Sequence, residues 1–131
     1  MLAADNTLSA ALDAHLALLV AEDAPLDWWR QMVRSGALAV IAVYAEGERV
    51  ASVLWRLDVH GGERCFVICG AASDSPRFDL MGDVLPRLEA MAQRMGCKRF
   101  RFHTRRRGLV ERASGMGYQA PEFVLLKDLA A

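Results

Sequence analysis

The chain opens with two stretches of helical periodicity. Leu8, Ala11, Leu12, His15, Leu16 and Leu19 fall on one face, behind Asp5, Asn6 and Thr7 as candidate caps, and predict a helix ending near Glu22. Pro25 suits the first turn of a second helix, which puts Leu26, Trp29, Met32 and Val33 on one side, with Gly36 as its stop. Residues 7–35 therefore read as a helix pair. After Gly36 the period changes. "ALAVIAVYA" is a near-continuous apolar run rich in β-branched residues, the pattern of a strand buried on both faces. "EGER" turns the chain into "VASVLWRLDV", and "HGGE", a stronger turn, leads into "RCFVICGAA". Residues 37–72 thus predict a three-strand antiparallel meander.

"SDSPRFD" punctuates the chain before a long helix, Leu80 to Met95, closed by Gly96. Its apolar face carries Leu80, Val84, Leu85, Leu88, Met91, Ala92 and Met95, and Pro86 either lies in the first turn or kinks it. "CKRFRFHT" reads as a short strand, "RRGLVERASGMG" as a short helix, and "YQAPEFVLLKDL" as a closing strand bent at Pro121. Residues 80–129 therefore run helix–strand–helix–strand. The whole order, α-α-β-β-β-α-β-α-β, predicts one α/β domain over residues 1–131, with a mixed, mostly antiparallel sheet and helices packed on both faces.

Composition narrows the class. At 131 residues and 53% hydrophobic, the chain can bury a core of its own. Zero formal net charge argues against a surface built entirely for nucleic acid. The charge is unevenly placed, though, and the basic excess gathers in "KRFRFHTRRRG", Lys98 to Gly108. Three cysteines form no paired framework, "MLAADNT" lacks the build of a secretory leader, and runs such as 37–45 are too short to span a bilayer. These features lead us to expect a soluble protein of a reducing, intracellular compartment.

The run "LPRLEAMAQRMGCKRFRFHT…GLVERASGMGYQ" resembles the central helix, following strand and last helix of the GNAT superfamily of acyl-coenzyme-A-dependent N-acyltransferases. The similarity covers residues 37–129, and the two leading helices fit the same order. The family's first strand is absent here or reduced to the first few residues. The strand-Arg-Arg-Gly-helix-Gly-Tyr run is also similar to small, divergent GNAT-like proteins of tailed bacteriophages.

The resemblance implies a pyrophosphate loop, Gln/Arg-x-x-Gly-x-Gly/Ala, whose free amides face the anion at the start of the central helix. Pro76 to Met81 occupies that place, with Pro76 at the polar position, Asp79 at the middle glycine and Met81 at the last. Proline lacks an amide, Asp79 would repel phosphate, and Met81 would crowd it. Arg77 compensates only if the register slips by one residue. The family's general-acid tyrosine corresponds to Ala113, which leaves Tyr118 as the weaker phenol candidate, and no unique base emerges from Asp58, His60 and Glu63. Coenzyme retained here would rest mainly on Arg77, Arg105, Arg106 and Arg107.

Several residues carry a plain reading beside a chemical one. Cys65 and Cys69, with His60 or Cys97, could approach a metal, but their spacing suits buried thiols better, so no metal is expected. His15 reads as a core or interface histidine. Trp29 belongs to the core, and its neighbour Trp28 is a candidate partner contact. Strand alternation sends Phe100 and Phe102 to one face and Arg99, Arg101 and His103 to the other. Arg105 to Arg107, at a helix entrance, favour an anion: coenzyme, nucleic acid or an acidic protein surface.

Three functions follow. The leading expectation is a catalytically degenerate GNAT-like phage or prophage protein, acting through protein contacts as a virion-associated or assembly component in the host cytoplasm and particle. The second is a divergent acetyl-CoA-dependent N-acyltransferase. The third is a nucleic-acid-binding module using Arg99, Arg101, Arg105, Arg106 and Arg107.

Overall fold

A computed structural model describes residues 1–19, 24–76, 78–104, 106–121 and 125–129. The elements run β1 (Leu2–Ala4), α1 (Ala10–Leu19), α2 (Leu26–Arg34), β2 (Ala39–Ala45), β3 (Glu48–His60), β4 (Glu63–Ser73), a π-helical turn (Leu80–Val84), α3 (Leu85–Arg94), β5 (Arg99–Phe102) and α4 (Arg107–Ser114). The five strands lie in sequence order in one mixed sheet, antiparallel except for the β4–β5 pair. Among the described residues no helix is long and apolar enough to cross a membrane.

The meander forms where the turn chemistry placed it. Glu46 and Gly47 both take positive φ, as do Gly61 and Gly62, and each pair makes a two-residue hairpin loop. The first strand is indeed reduced to three residues, paired with β2 from Leu2↔Val43 to Ala4↔Ile41.

Helices cover both faces. On one face α1 and α2 pack Leu12, Leu16, Leu19, Trp29 and Val33 against Val40, Leu54 and Ala72. On the other, Met81, Leu85, Leu88 and Ala92 from the central helix and Ala113 from α4 meet Ile41, Val53, Phe66 and Ile68. An aromatic layer runs across this second face. Phe66 stacks between Trp55 and Phe100, at centroid distances of 4.7 and 5.0 Å, and Tyr118 sets its ring edge-on to Phe100 and Phe102.

The central helix departs from simple α geometry at its start. Leu85 N–H reaches the Leu80 carbonyl, five residues back, before the α-helix continues to Arg94. Pro86 explains the wide turn: it has no N–H to offer, and its ring would press on the carbonyl four residues before it in a tight α turn. The proline therefore sits at the junction of π and α turns rather than at a mid-helix kink. The closing strand is not seen in the described parts of its segment, since 118–121 and 125–129 carry no strand; the remaining residues of that prediction, 122–124, lie outside the described set.

Candidate functional site

Strands β4 and β5 pair only over Cys65↔Arg99 to Ile68↔Phe102. Beyond that point β4 continues to Ser73 paired with β3 but not with β5, past an irregularity that pairs Trp55 with Ile68 and Leu54 with Gly70, leaving Cys69 as the extra residue. From Cys69 on, that edge of β4 therefore has no β5 partner, and the chain leads from Ser73 to the start of the central helix. The mouth at a helix N-terminus is where an anionic ligand would meet free backbone amides.

That mouth is filled from within the chain. Asp79 is the residue before the π-turn, in extended conformation, and its carboxylate accepts the N–H of Met81 at 3.2 Å. Arg112, from α4, clamps the same carboxylate with two hydrogen bonds of 3.0 Å, one to each oxygen. The Arg112 guanidinium is the main reason the Asp79 carboxyl titrates below the ordinary carboxylate range. Gly82 makes the close approach feasible: a Cβ there would stand 2.8 Å from Asp79 Oδ2. An amide, a dipole and a guanidinium thus hold an anion, and the anion is the protein's own side chain.

This corrects part of the sequence reading. Met81 does not crowd the loop; its side chain is buried in the core and its N–H faces the mouth. Asp79 stands just before the helix start, its carboxylate tied down by Arg112 and the Met81 amide. Sequence reasoning missed both Gly82 and Arg112. An Asp-x-x-Gly spacing at the helix start was the available signal for the glycine; nothing local distinguished Arg112 from any exposed helical arginine.

The other candidates are dispersed. Arg77 and Arg105 lie outside the described residues. Arg106 and Arg107 are exposed at the N-terminus of α4, where Arg106 N–H is taken up by Thr104 Oγ1 at 3.0 Å, and neither guanidinium has an ion-pair partner among the described residues. Arg99 is exposed, 3.9 Å from Glu63. Arg101 turns to the opposite side of β5 from Phe100 and Phe102, where it donates to Asp58 at 2.7 Å. Asp58 also accepts from Arg56 at 2.8 Å, and these two arginines, Arg56 foremost, hold its carboxyl below the ordinary range. A carboxylate so committed makes a poor base. His60 and Glu63 sit exposed at the second hairpin.

Tyr118 is half-buried in the aromatic layer. Its hydroxyl makes no hydrogen bond of ordinary geometry, and burial, reinforced by the Glu89 carboxylate, pushes its pKa well above the usual phenol value. Ala113, at the position that the resemblance gives to a tyrosine, is buried with only a methyl group. The three cysteines are free thiols, and burial raises the pKa of Cys65 and Cys69. No group of three potential ligands able to hold a metal occurs among the described residues. Trp29 is buried and Trp28 is 43% exposed, while His15 is buried with Nδ1 2.7 Å from Ser52 Oγ.

No protein-family model matches the sequence, and no curated protein matches it significantly. Solved structures match its backbone over nearly the whole length. An acetyltransferase of Trypanosoma brucei superposes with a TM-score of 0.70 at 17% identity, covering 98% of this chain and 99% of its own. A possible acetyltransferase from Clostridium difficile 630 gives 0.72 at 7% identity, covering 100% and 98%. A ribosomal-protein-alanine N-acetyltransferase from Brucella melitensis gives 0.70 at 14% identity, covering 98% and 99%. The mixed sheet, the parallel β4–β5 pair, the helices on both faces and these superpositions together show that the chain has the GNAT acetyltransferase fold.

Proposed function

We propose that this chain is a GNAT-fold protein whose coenzyme cradle is closed by its own side chains, and that it works through protein contacts. The observation that carries this reading is the Asp79–Arg112 clamp, which uses up the amide and the guanidinium that a pyrophosphate would need. A phosphate entering the mouth would have to displace a carboxylate already satisfied there, or share the space with its charge. The absence of a tyrosine at Ala113 and the pairing of Asp58 point the same way. The similarity of the strand-Arg-Arg-Gly-helix-Gly-Tyr run to tailed-phage proteins supports a virion-associated or assembly role, and exposed Trp28 is a suitable anchor for a partner.

Calorimetry with acetyl-coenzyme A tests the closed cradle. The wild type should give no binding heat at about millimolar ligand, and Asp79→Gly should gain measurable affinity. Binding by the wild type in the micromolar range would refute the reading. For the assembly role, the protein should co-sediment with native particles or their precursors; recovery solely as a free monomer would count against it.

The second reading, a divergent acetyl-CoA-dependent N-acyltransferase, is favoured by the likeness of the whole backbone to acetyltransferases and by Arg106 and Arg107, unpaired among the described residues at the start of α4. It requires that coenzyme displace Asp79, so Asp79→Gly would raise turnover rather than create binding from nothing. If single-stranded nucleic acid binds instead, with affinity that falls steeply with salt and is lost on changing Arg106 and Arg107 to Ala, the basic surface is the functional one.

A further inference from the structure

The sheet ends at β5 with an open edge. Among the described residues β5 pairs with β4 alone, and no strand lies beyond it. Alternate residues of β5 therefore turn N–H and C=O groups away from β4 with no strand to meet them, which makes the edge a template for another strand. Charge does little to guard it, because Arg101 is drawn across the sheet to Asp58 at 2.7 Å. The aromatic layer is also incomplete here, since Phe100 and Phe102 are only partly buried.

The same chain carries an apolar segment that nothing covers. Residues 125–129, Leu-Leu-Lys-Asp-Leu, form no helix or strand, and Leu125, Leu126 and Leu129 are 94%, 79% and 85% exposed. No other large apolar side chain among the described residues is as exposed as these three. A single exposed leucine is ordinary, but three within five residues leave a continuous apolar stretch in water. The segment thus stands clear of its own sheet, while the sheet has an unfilled place for a strand.

We infer that residues 125–129 of a second copy add as a strand to the β5 edge, and that the exchange is reciprocal. A two-fold arrangement of this kind closes at a dimer and leaves neither segment nor edge free. The charges choose how the added strand faces. Alternation separates Leu125, Lys127 and Leu129 from Leu126 and Asp128. With Leu125 and Leu129 over Phe100 and Phe102, Lys127 falls on the side of Glu89, which shares a shallow concavity with Phe100. Asp128 then joins the face of Arg99 and Arg101. The opposite facing would set Lys127 among the arginines and Asp128 beside Glu89, a repulsive match on both sides. The dimer does not depend on the Asp79–Arg112 clamp or on the state of the coenzyme cradle.

Size-exclusion chromatography with light scattering on the full chain, from about 1 to 200 μM, tests it. The wild type should reach the mass of a dimer. Leu125→Asp with Leu129→Asp should weaken association about a hundredfold or more. Both changes fall on exposed side chains, so circular dichroism should show the monomer still folded. Lys127→Pro with Asp128→Pro keeps all three leucines but removes an N–H from each alternation, one of which must face β5, and should also give a monomer. Leu18→Asp, on the exposed side of α1, should leave the dimer unchanged. Hydrogen exchange should find the amides of Arg99 to Phe102 more protected in the wild type than in the Leu125→Asp, Leu129→Asp protein. A monomer at every concentration would overturn the inference, including one whose segment closes on its own β5 and protects those amides at any dilution. So would a dimer that survives either pair of changes, or one that Leu18→Asp disrupts equally.

Discussion

Asp79 is the residue at which the chain departs from the glycine that the resemblance implies, while the fold is kept. A glycine in its place would leave amides open to solvent or ligand; the aspartate brings its own anion, and Arg112 completes the pairing. Gly82 is fitted to that anion, because any Cβ would press on Asp79 Oδ2. Gly82→Ala should therefore destabilise the wild type by about 1–2 kcal/mol through overpacking, and much less in an Asp79→Ala background where the oxygen is gone. Urea titration of the four proteins of this cycle measures the coupling. Additive effects would show that the contact imposes no strain. The oddity of Asp79 was legible from the sequence, since the resemblance implies a glycine there. Its resolution was not, because Arg112 arrives from another helix 33 residues later and no local pattern joins the two.

At the scale of elements, hydrophobic period and turn chemistry located most of the architecture. The helix pair, the meander, the central helix and the short arginine-rich strand follow directly from residues such as Leu12, Gly47, Gly62 and Phe100. What could not be read was the local irregularity. The π-turn before Pro86 depends on a missing amide and on how the neighbouring carbonyls rearrange, and the irregularity at Cys69 depends on cross-strand register. Gly70, next to that irregularity, has a role visible only in three dimensions: a Cβ there would lie 3.0 Å from Leu19 Cδ1 and 3.2 Å from the Trp29 ring. The helix pair thus comes down onto the sheet at a residue without a side chain. Gly70→Val should force α1 and α2 outward at a cost of about 1–3 kcal/mol and shift Trp29 fluorescence to the red. Unchanged emission and stability would mean that the helix pair is not seated on Gly70.

Across the whole molecule, the carboxylates and the phenol set opposite limits on pH stability. Asp5, Asp58 and Asp79 all have lowered pKa values, caused chiefly by the Thr7 amide, Arg56 and Arg112 respectively. A lowered folded-state value means that their contribution is complete above the unfolded carboxyl pKa of about 3.9 and disappears as pH falls through the folded value. Tyr118 works in the other direction, because burial raises its pKa. Its contribution is whole below the unfolded phenol value of about 10 and is lost as pH rises through the folded one. The urea midpoint should therefore fall on the acid side below about pH 4 and on the alkaline side above about pH 10. The two limbs can be separated. Tyr118→Phe should flatten the alkaline limb and leave the acid one, whereas Arg112→Met should reduce the acid limb alone. Because these aspartate pairs are solvent-accessible, about 1 M sodium chloride should also make the acid limb shallower. An alkaline limb that survives Tyr118→Phe would show that this phenol does not govern stability there, and an acid limb indifferent to both Arg112→Met and salt would remove the Asp79 clamp from the stabilising set.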